Sequence, residues 1–115
     1  MKFINLNNPI CCNDVIKCVF DLNELDLKVY KKLKKKGESR VNAIAKDLKR
    51  ERSTVYRSLQ KLTCYELCSK TTKTIKNGGY YHVYICKDSK QTRESIENCI
   101  DNWYKKMKNT IKELD

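Results

Sequence analysis

Apolar residues recur at helical spacing along most of the chain and give way once to a strand-like run. Leu22, Leu25, Val29 and Leu33 form one stripe, which predicts a helix from about Asn23 to Lys36. Asn23 can cap it, Glu24 and Asp26 stand in its first turn, lysines fill its last turns, and Gly37 ends it. Upstream, the first ten residues are polar and irregular, with Pro9 marking an extended entry. Asp14 can cap a short helix through Val15 to Phe20. Downstream of a short extended piece at 38–41, Val41, Ile44, Ala45 and Leu48 mark a short amphipathic helix. A charged turn, Lys49-Arg50-Glu51-Arg52, leads into a second one over about 52–64, with Val55, Leu59 and Leu62 inward.

The period then changes. Residues 67–76 are rich in threonine and β-prone, Asn77-Gly78-Gly79 is a hairpin turn signal, and Tyr80 to Ile85 is aromatic and β-branched. Tyr81, Val83 and Ile85 share one side of that strand and Tyr80, His82 and Tyr84 the other, so one set is expected in the core. From about Asp88 to Leu114, apolar positions step by four and three: Ile96, Ile100, Trp103, Met107, Thr110, Leu114, with Ile111 on the flank. That is a helix of roughly 40 Å with an apolar seam in need of a partner.

Two short helices joined by a tight turn are a helix-turn-helix, and a hairpin after them makes a winged helix. The expected class is mainly α with a small β-hairpin (α+β). An irregular segment at 1–12, a winged helix-turn-helix at 13–87 and a dimerisation helix at 88–115 are the expected parts.

Charge narrows the function. The 115 residues hold 25 Lys+Arg against 14 Asp+Glu, a net +11. Residues 28–61 alone carry a net +10, the wing segment 62–90 carries +3, and 91–115 is neutral. Excess lysine from composition bias would be spread evenly; charge gathered on one third of the chain suits a polyanion-binding face. The length excludes a large enzyme with a separate cofactor domain, and no apolar run approaches the roughly 18 residues of a membrane span. No signal-peptide layout opens the chain, so a cytoplasmic protein is expected.

The outer face of the second short helix is read as Arg52, Ser53, Thr54, Arg57, Ser58 and Lys61. Arg52, Thr54 and Arg57 are assigned to base edges, because the N-terminal half of a recognition helix reaches deepest into the major groove. Ser53, Ser58 and Lys61, with Arg40, Lys46, Lys49 and Arg50, are assigned to the DNA backbone. The wing offers Lys70, Lys73, Lys76, Asn77, Gly78 and Gly79 to phosphates or the minor groove. The dimer seam comprises Ile96, Ile100, Trp103, Met107, Ile111 and Leu114.

Catalysis has little to stand on. His82 is the sole histidine, has no acid partner at a recognisable spacing, and is read as structural. No phosphate-cradling glycine loop or nucleophile elbow occurs, so neither an enzyme nor a cofactor is expected. Seven cysteines without a C-x-x-C fit neither a zinc ribbon nor a disulfide framework, and most are read as reduced core residues. The sharper alternative is a thiol or metal site at Cys11, Cys12 and Cys18, though its spacing matches no standard ligand set.

Residues 25–63, LDLKVYKKL…VNAIAKDLKRERSTVYRSLQKLT, resemble the DNA-binding domain of archaeal TrmB-like winged-helix regulators. RSTVYRSLQKL is the specific part; NGGYYHVYICKD and NWYKKM also look like short single-domain members, so the resemblance covers about 14–112. It implies regulation of transcription by a dimer on double-stranded DNA. It maps the recognition helix onto Arg52, Ser53, Thr54, Arg57, Ser58 and Lys61, and the wing tip onto Asn77, Gly78 and Gly79. Two departures matter. Glu51 stands where the family often has Asp, which predicts a weaker cap. Glu66 stands where the family usually has Gly after the recognition helix, which predicts strain in a left-handed turn. Larger members carry a sugar-binding domain for which this chain is too short, so sugar sensing is not expected.

The leading expectation is therefore a homodimeric, sequence-specific DNA-binding regulator. Its alternatives are a protein-interaction winged helix within the transcription machinery, or a thiol- or metal-responsive switch on the same fold.

Overall fold

The computed structural model describes residues 12–114. The expectations for Pro9, the Asp14 cap and the Cys11, Cys12 and Cys18 cluster concern residues or side chains outside that description. The elements are α1 (Cys12–Phe20), α2 (Glu24–Lys36), α3 (Val41–Leu48), α4 (Arg52–Cys64), β1 (Cys68–Thr74), β2 (Tyr80–Cys86) and α5 (Ser89–Ile111). The chain is mainly α with one antiparallel hairpin and a long C-terminal helix, a winged helix-turn-helix.

It divides into two compact units. Leu22–Lys87 forms one, which holds α2, α3, α4 and the hairpin; α1 and α5 belong to the other, where they pack together.

In the Leu22–Lys87 unit the apolar stripes meet. Val29, Leu33, Ile44, Val55, Leu59, Leu62 and Leu67 are fully buried, and Leu22, Leu27, Tyr30, Val41 and Ala45 nearly so. Each such aliphatic side chain contributes about 1.5–3 kcal/mol through burial. Asn23 caps α2 with a full capping box: its side chain accepts from the Asp26 amide at 2.7 Å, and Asp26 accepts from the Asn23 amide at 3.1 Å.

The extended piece before α3 adds a third strand to the hairpin at a single point. The Ser39 amide donates to the Tyr84 carbonyl at 2.9 Å, and the Tyr84 amide returns a bond to Ser39 at 2.8 Å. Thus β2 is held by β1 on one edge and by Ser39 on the other. At this crossing Val83 and Tyr84 are both buried, although they point to opposite faces. The expectation that one alternating set would be core therefore fails. Tyr80 and Ile85, from opposite sets, are both exposed, so burial follows position along the strand rather than side.

Three helix ends use left-handed residues that are not glycine, the first being Asp21, with φ 51, directly after α1. At the end of α3, Lys49 has φ 55, and Arg50 donates back to Ala45. At the end of α4, Glu66 has φ 63; its amide donates to Thr63, and the Leu67 amide donates to Leu62, both at 3.0 Å. That is a Schellman ending, with Leu62 and Leu67 buried beneath it. Glu66 thus occupies the position that glycine fills without strain. Glu66→Gly is expected to raise stability by about 1 kcal/mol, the relieved strain exceeding glycine's added chain entropy, and to lift Tm by about 5 °C. Thermal unfolding followed by circular dichroism checks this; no change or a fall counts against a strained Glu66.

Candidate nucleic-acid interface

Helix α4 carries the centre of the candidate site. Val55, Leu59 and Leu62 turn into the core, which leaves Arg52, Ser53 and Arg57 exposed and Thr54 half-buried on the other side. Its N-cap, Glu51, makes no side-chain hydrogen bond to the helix, as expected for a residue longer than the preferred caps. Arg40, Lys46, Lys49 and Arg50 are all exposed around α3 and the turn that follows it.

Ser58 and Lys61 are placed differently from the sequence reading. Ser58 is only 4% exposed, and its hydroxyl donates to Asp26 Oδ1 at 2.7 Å. It is therefore not on the outer face: with Val55, Leu59 and Leu62 it makes up the inward stripe of α4, where it meets the buried carboxylate from α2. Lys61 is half-buried and donates to Asp26 Oδ2 at 2.8 Å, so its ammonium joins α4 to α2. Asp26 itself is 3% exposed. Burial pushes its carboxyl up, but the bonds from Lys61, Asn23 and Ser58 outweigh that and hold it below the usual carboxylate value.

The wing projects Lys70, Lys76, Asn77, Gly78 and Gly79 into solvent. Gly78 and Gly79, at φ 99 and 89, turn the tip where a side chain would be strained. Lys73 pairs with Glu38 at 2.9 Å, an exposed bridge that holds the wing to the segment before α3. That partner raises the Lys73 ammonium above its ordinary value. His82 is structural in its contacts: Nδ1 lies 3.0 Å from the Thr72 hydroxyl across the ladder, and the ring meets Tyr80 edge-on.

The structure adds a group of residues that periodicity alone did not single out. Arg40 stacks over the Tyr81 ring, 4.3 Å from its centroid. With Arg52, Tyr56, Tyr80 and His82 they line an open hollow of about 190 Å³ between the start of α4 and β2. The visible signal was the clustering of tyrosines in one strand, whose meeting with α3 and α4 only the third-strand bridge at Ser39 reveals.

On α5, the stripe Ile100, Trp103, Met107 and Ile111 is exposed and Ile96 is half-buried; the helix ends at Ile111, short of the expected Leu114, which follows a turn at 112–113. Exposure reaches 61% at Ile111 on the helix and 81% at Leu114 just past its end, which is unusual for a row of large apolar residues. Trp103, Lys106, Met107, Thr110 and Ile111 frame a shallow hollow of about 260 Å³ along it.

Among the described residues no group of three or more His, Cys, Asp or Glu could hold a metal. No helix among them is long and apolar enough to cross a membrane.

Residues 16–90 match the sequence profile of the family described as sugar-specific transcriptional regulator TrmB. The chain belongs to the TrmB family. It is similar to two uncharacterised proteins of Methanocaldococcus jannaschii. The first is 36% identical over 103 residues, covering 90% of this chain and 78% of the relative. The second is 30% identical over 105 residues, covering 91% and 87%. Among solved structures it resembles a possible transcriptional regulator from Methanosarcina mazei, with a TM-score of 0.81 and 28% identity over 98% of this chain and 96% of that one. A protein from Sulfolobus tokodaii shares the fold at a TM-score of 0.65 and 21% identity, over 79% of this chain and 89% of that one. This TrmB-family chain is thus an archaeal-type transcriptional regulator with a winged helix-turn-helix, and its family is not a class of enzymes.

Proposed function

We propose that this TrmB-family protein is a homodimer that binds specific sequences of double-stranded DNA in the cytoplasm. The observation that carries the reading is the exposure of Arg52, Ser53 and Arg57 along one helix, inside a stretch of net charge +10. Arg52, Thr54 and Arg57 read base edges in the major groove, where an arginine can bond guanine twice. Ser53, Arg40, Lys46, Lys49 and Arg50 hold phosphates, which position the protein without reading sequence. The wing lysines Lys70 and Lys76 and the tip at Asn77 reach the backbone or the adjacent minor groove. Lys61 serves Asp26 instead, and Ser58 is left out of the interface. The α5 seams of two copies pair, so two recognition helices enter grooves roughly 34 Å apart, or a multiple of that.

Selection of bound sequences from random duplex DNA at near-physiological salt tests this. Two related half-sites about one helical turn apart, or a multiple, are expected; no enrichment would overturn the reading. Arg57→Ala should weaken the selected site by about tenfold or more per half-site and relax the sequence preference. Lys70→Ala should weaken selected and random duplexes alike. Competition binding separates these two outcomes.

A further inference from the structure

Cys68 opens β1 and Cys86 closes β2, and the two face each other across the ladder. The Lys87 amide donates to the Leu67 carbonyl at 3.0 Å, so Leu67 and Lys87 are a hydrogen-bonded pair. Cys68 and Cys86 are then the next, non-hydrogen-bonded pair, whose Cα atoms lie about 4.5 Å apart. That falls within the roughly 4.4–6.8 Å that a disulfide spans. Their sulfurs are 3.8 Å apart and reduced. Joining them at about 2.05 Å asks for side-chain rotation rather than backbone movement. We propose that Cys68 and Cys86 are a reversible redox site, which a small-molecule disulfide of the glutathione type oxidises to an intramolecular disulfide closing the base of the wing.

The two thiols are unequal, which sets the order of steps. Cys68 is 1% exposed, whereas Cys86 is half-buried and its thiol also reaches the Tyr30 carbonyl at 3.7 Å. The thiol of Cys68 bonded to the Cys86 sulfur holds Cys86 below its ordinary value against the opposing effect of burial, and Lys34 adds to this. The same contact, with burial, pushes Cys68 far up. Cys86 is therefore the attacking thiolate. It bonds to one sulfur of the oxidant, and the other half leaves as a thiolate that takes up the proton Cys86 released. Cys68 then attacks the Cys86 sulfur, and the second half leaves with the proton from Cys68. Two protein thiols lose two electrons and two protons; one small disulfide becomes two thiols. An excess of thiol reverses both steps.

The other described free cysteines, Cys64 and Cys99, are exposed on helices away from this ladder. The pair at the wing base is thus singled out by register, distance and asymmetry together.

The test exposes the full chain to oxidised glutathione, quenches by alkylation and maps tryptic peptides without reduction. Cleavage at Lys70, Lys73 and Lys76 separates the two cysteines, so a link survives as a two-peptide species. That species is expected in the wild type, with a Tm about 10 °C higher, and dithiothreitol should reverse both changes. In Cys68→Ser, Cys86 should retain one glutathione, because the resolving thiol is gone. In Cys86→Ser, Cys68 should stay unmodified over the same exposure. In the reduced wild type, alkylation at Cys86 should run about tenfold faster than at Cys68. A wild-type protein that keeps glutathione on Cys86 without forming the link would overturn the proposal, as would Cys68 reacting first. The wild-type map needs neither variant to fold, and no readout depends on DNA.

Discussion

Asp26→Asn is expected to lower the stability of the Leu22–Lys87 unit by about 2–3 kcal/mol, a fall in Tm of roughly 10 °C or more. The reason is the division of labour between the two carboxylate oxygens. Oδ1 accepts the Ser58 hydroxyl, and an amide oxygen could still do so. Oδ2 accepts both Lys61 Nζ and the Asn23 amide, and there an amide would present a third donor to two donors. Removing one partner from a buried charged network costs more than the network contributes when whole, because the others are left without acceptors. Lys61 keeps access to water, which holds the figure below the upper end for such losses.

The same carboxylate gives a pH signature. Its folded-state value lies below the ordinary one, so its contribution is fully present above about pH 4, the unfolded value, and fades as pH falls through the folded value. Unfolding scans from pH 7 to 3 should show wild type and Asp26→Asn converging at the acid end. A constant gap across that range would mean that the charge on Asp26 does not matter.

Trp103→Glu is expected to convert the proposed dimer to a monomer and to weaken binding to a two-half-site duplex by about 10²–10⁴-fold. That is the range over which tethering makes the second contact intramolecular. Trp103 sits mid-seam, between Ile100 and Met107, and is already 38% exposed within the chain. The substitution therefore leaves the Leu22–Lys87 core untouched while placing a charge where two apolar seams would meet. Light scattering reads the first effect and a binding titration the second. A Trp103→Glu protein that remains dimeric would place the subunit contact elsewhere.

Most of the fold was legible because it is local. The stripes of α2, α3 and α4, the Asn23 cap, and the Asn77-Gly78-Gly79 turn each depend on neighbours a few residues away. The strain at Glu66 was expected from the resemblance, which puts Gly at that helix ending, and the φ of 63 bears it out. What was not legible is set by distant partners. Asp26 reads as an ordinary first-turn acid, suited to the helix dipole, until Ser58 and Lys61 arrive from 32 and 35 residues away. Spacing alone puts Ser58 on the inward face, since Val55, Ser58, Leu59 and Leu62 stand at i, i+3, i+4 and i+7, and it was its polar type that led to an outer-face reading; Lys61 lies outside that stripe and gives no sign of its partner. The burial of both Val83 and Tyr84 follows from Ser39 pairing with β2, which no alternation rule foretells. The facing of Cys68 and Cys86 needs the hairpin register, which the Asn77-Gly78-Gly79 turn signal does not by itself fix.

The central claim is that the basic face of α3, α4 and the wing holds DNA by sequence. Anisotropy titration of the full-length protein against its selected duplex and a scrambled one, over a series of salt concentrations, tests it most directly. If the dimer neutralises about eight phosphates, log affinity should fall against log salt with a slope near −7, and the selected duplex should bind at least about a thousandfold more tightly than the scrambled one. A slope near zero, or equal affinity for the two duplexes, would contradict the account.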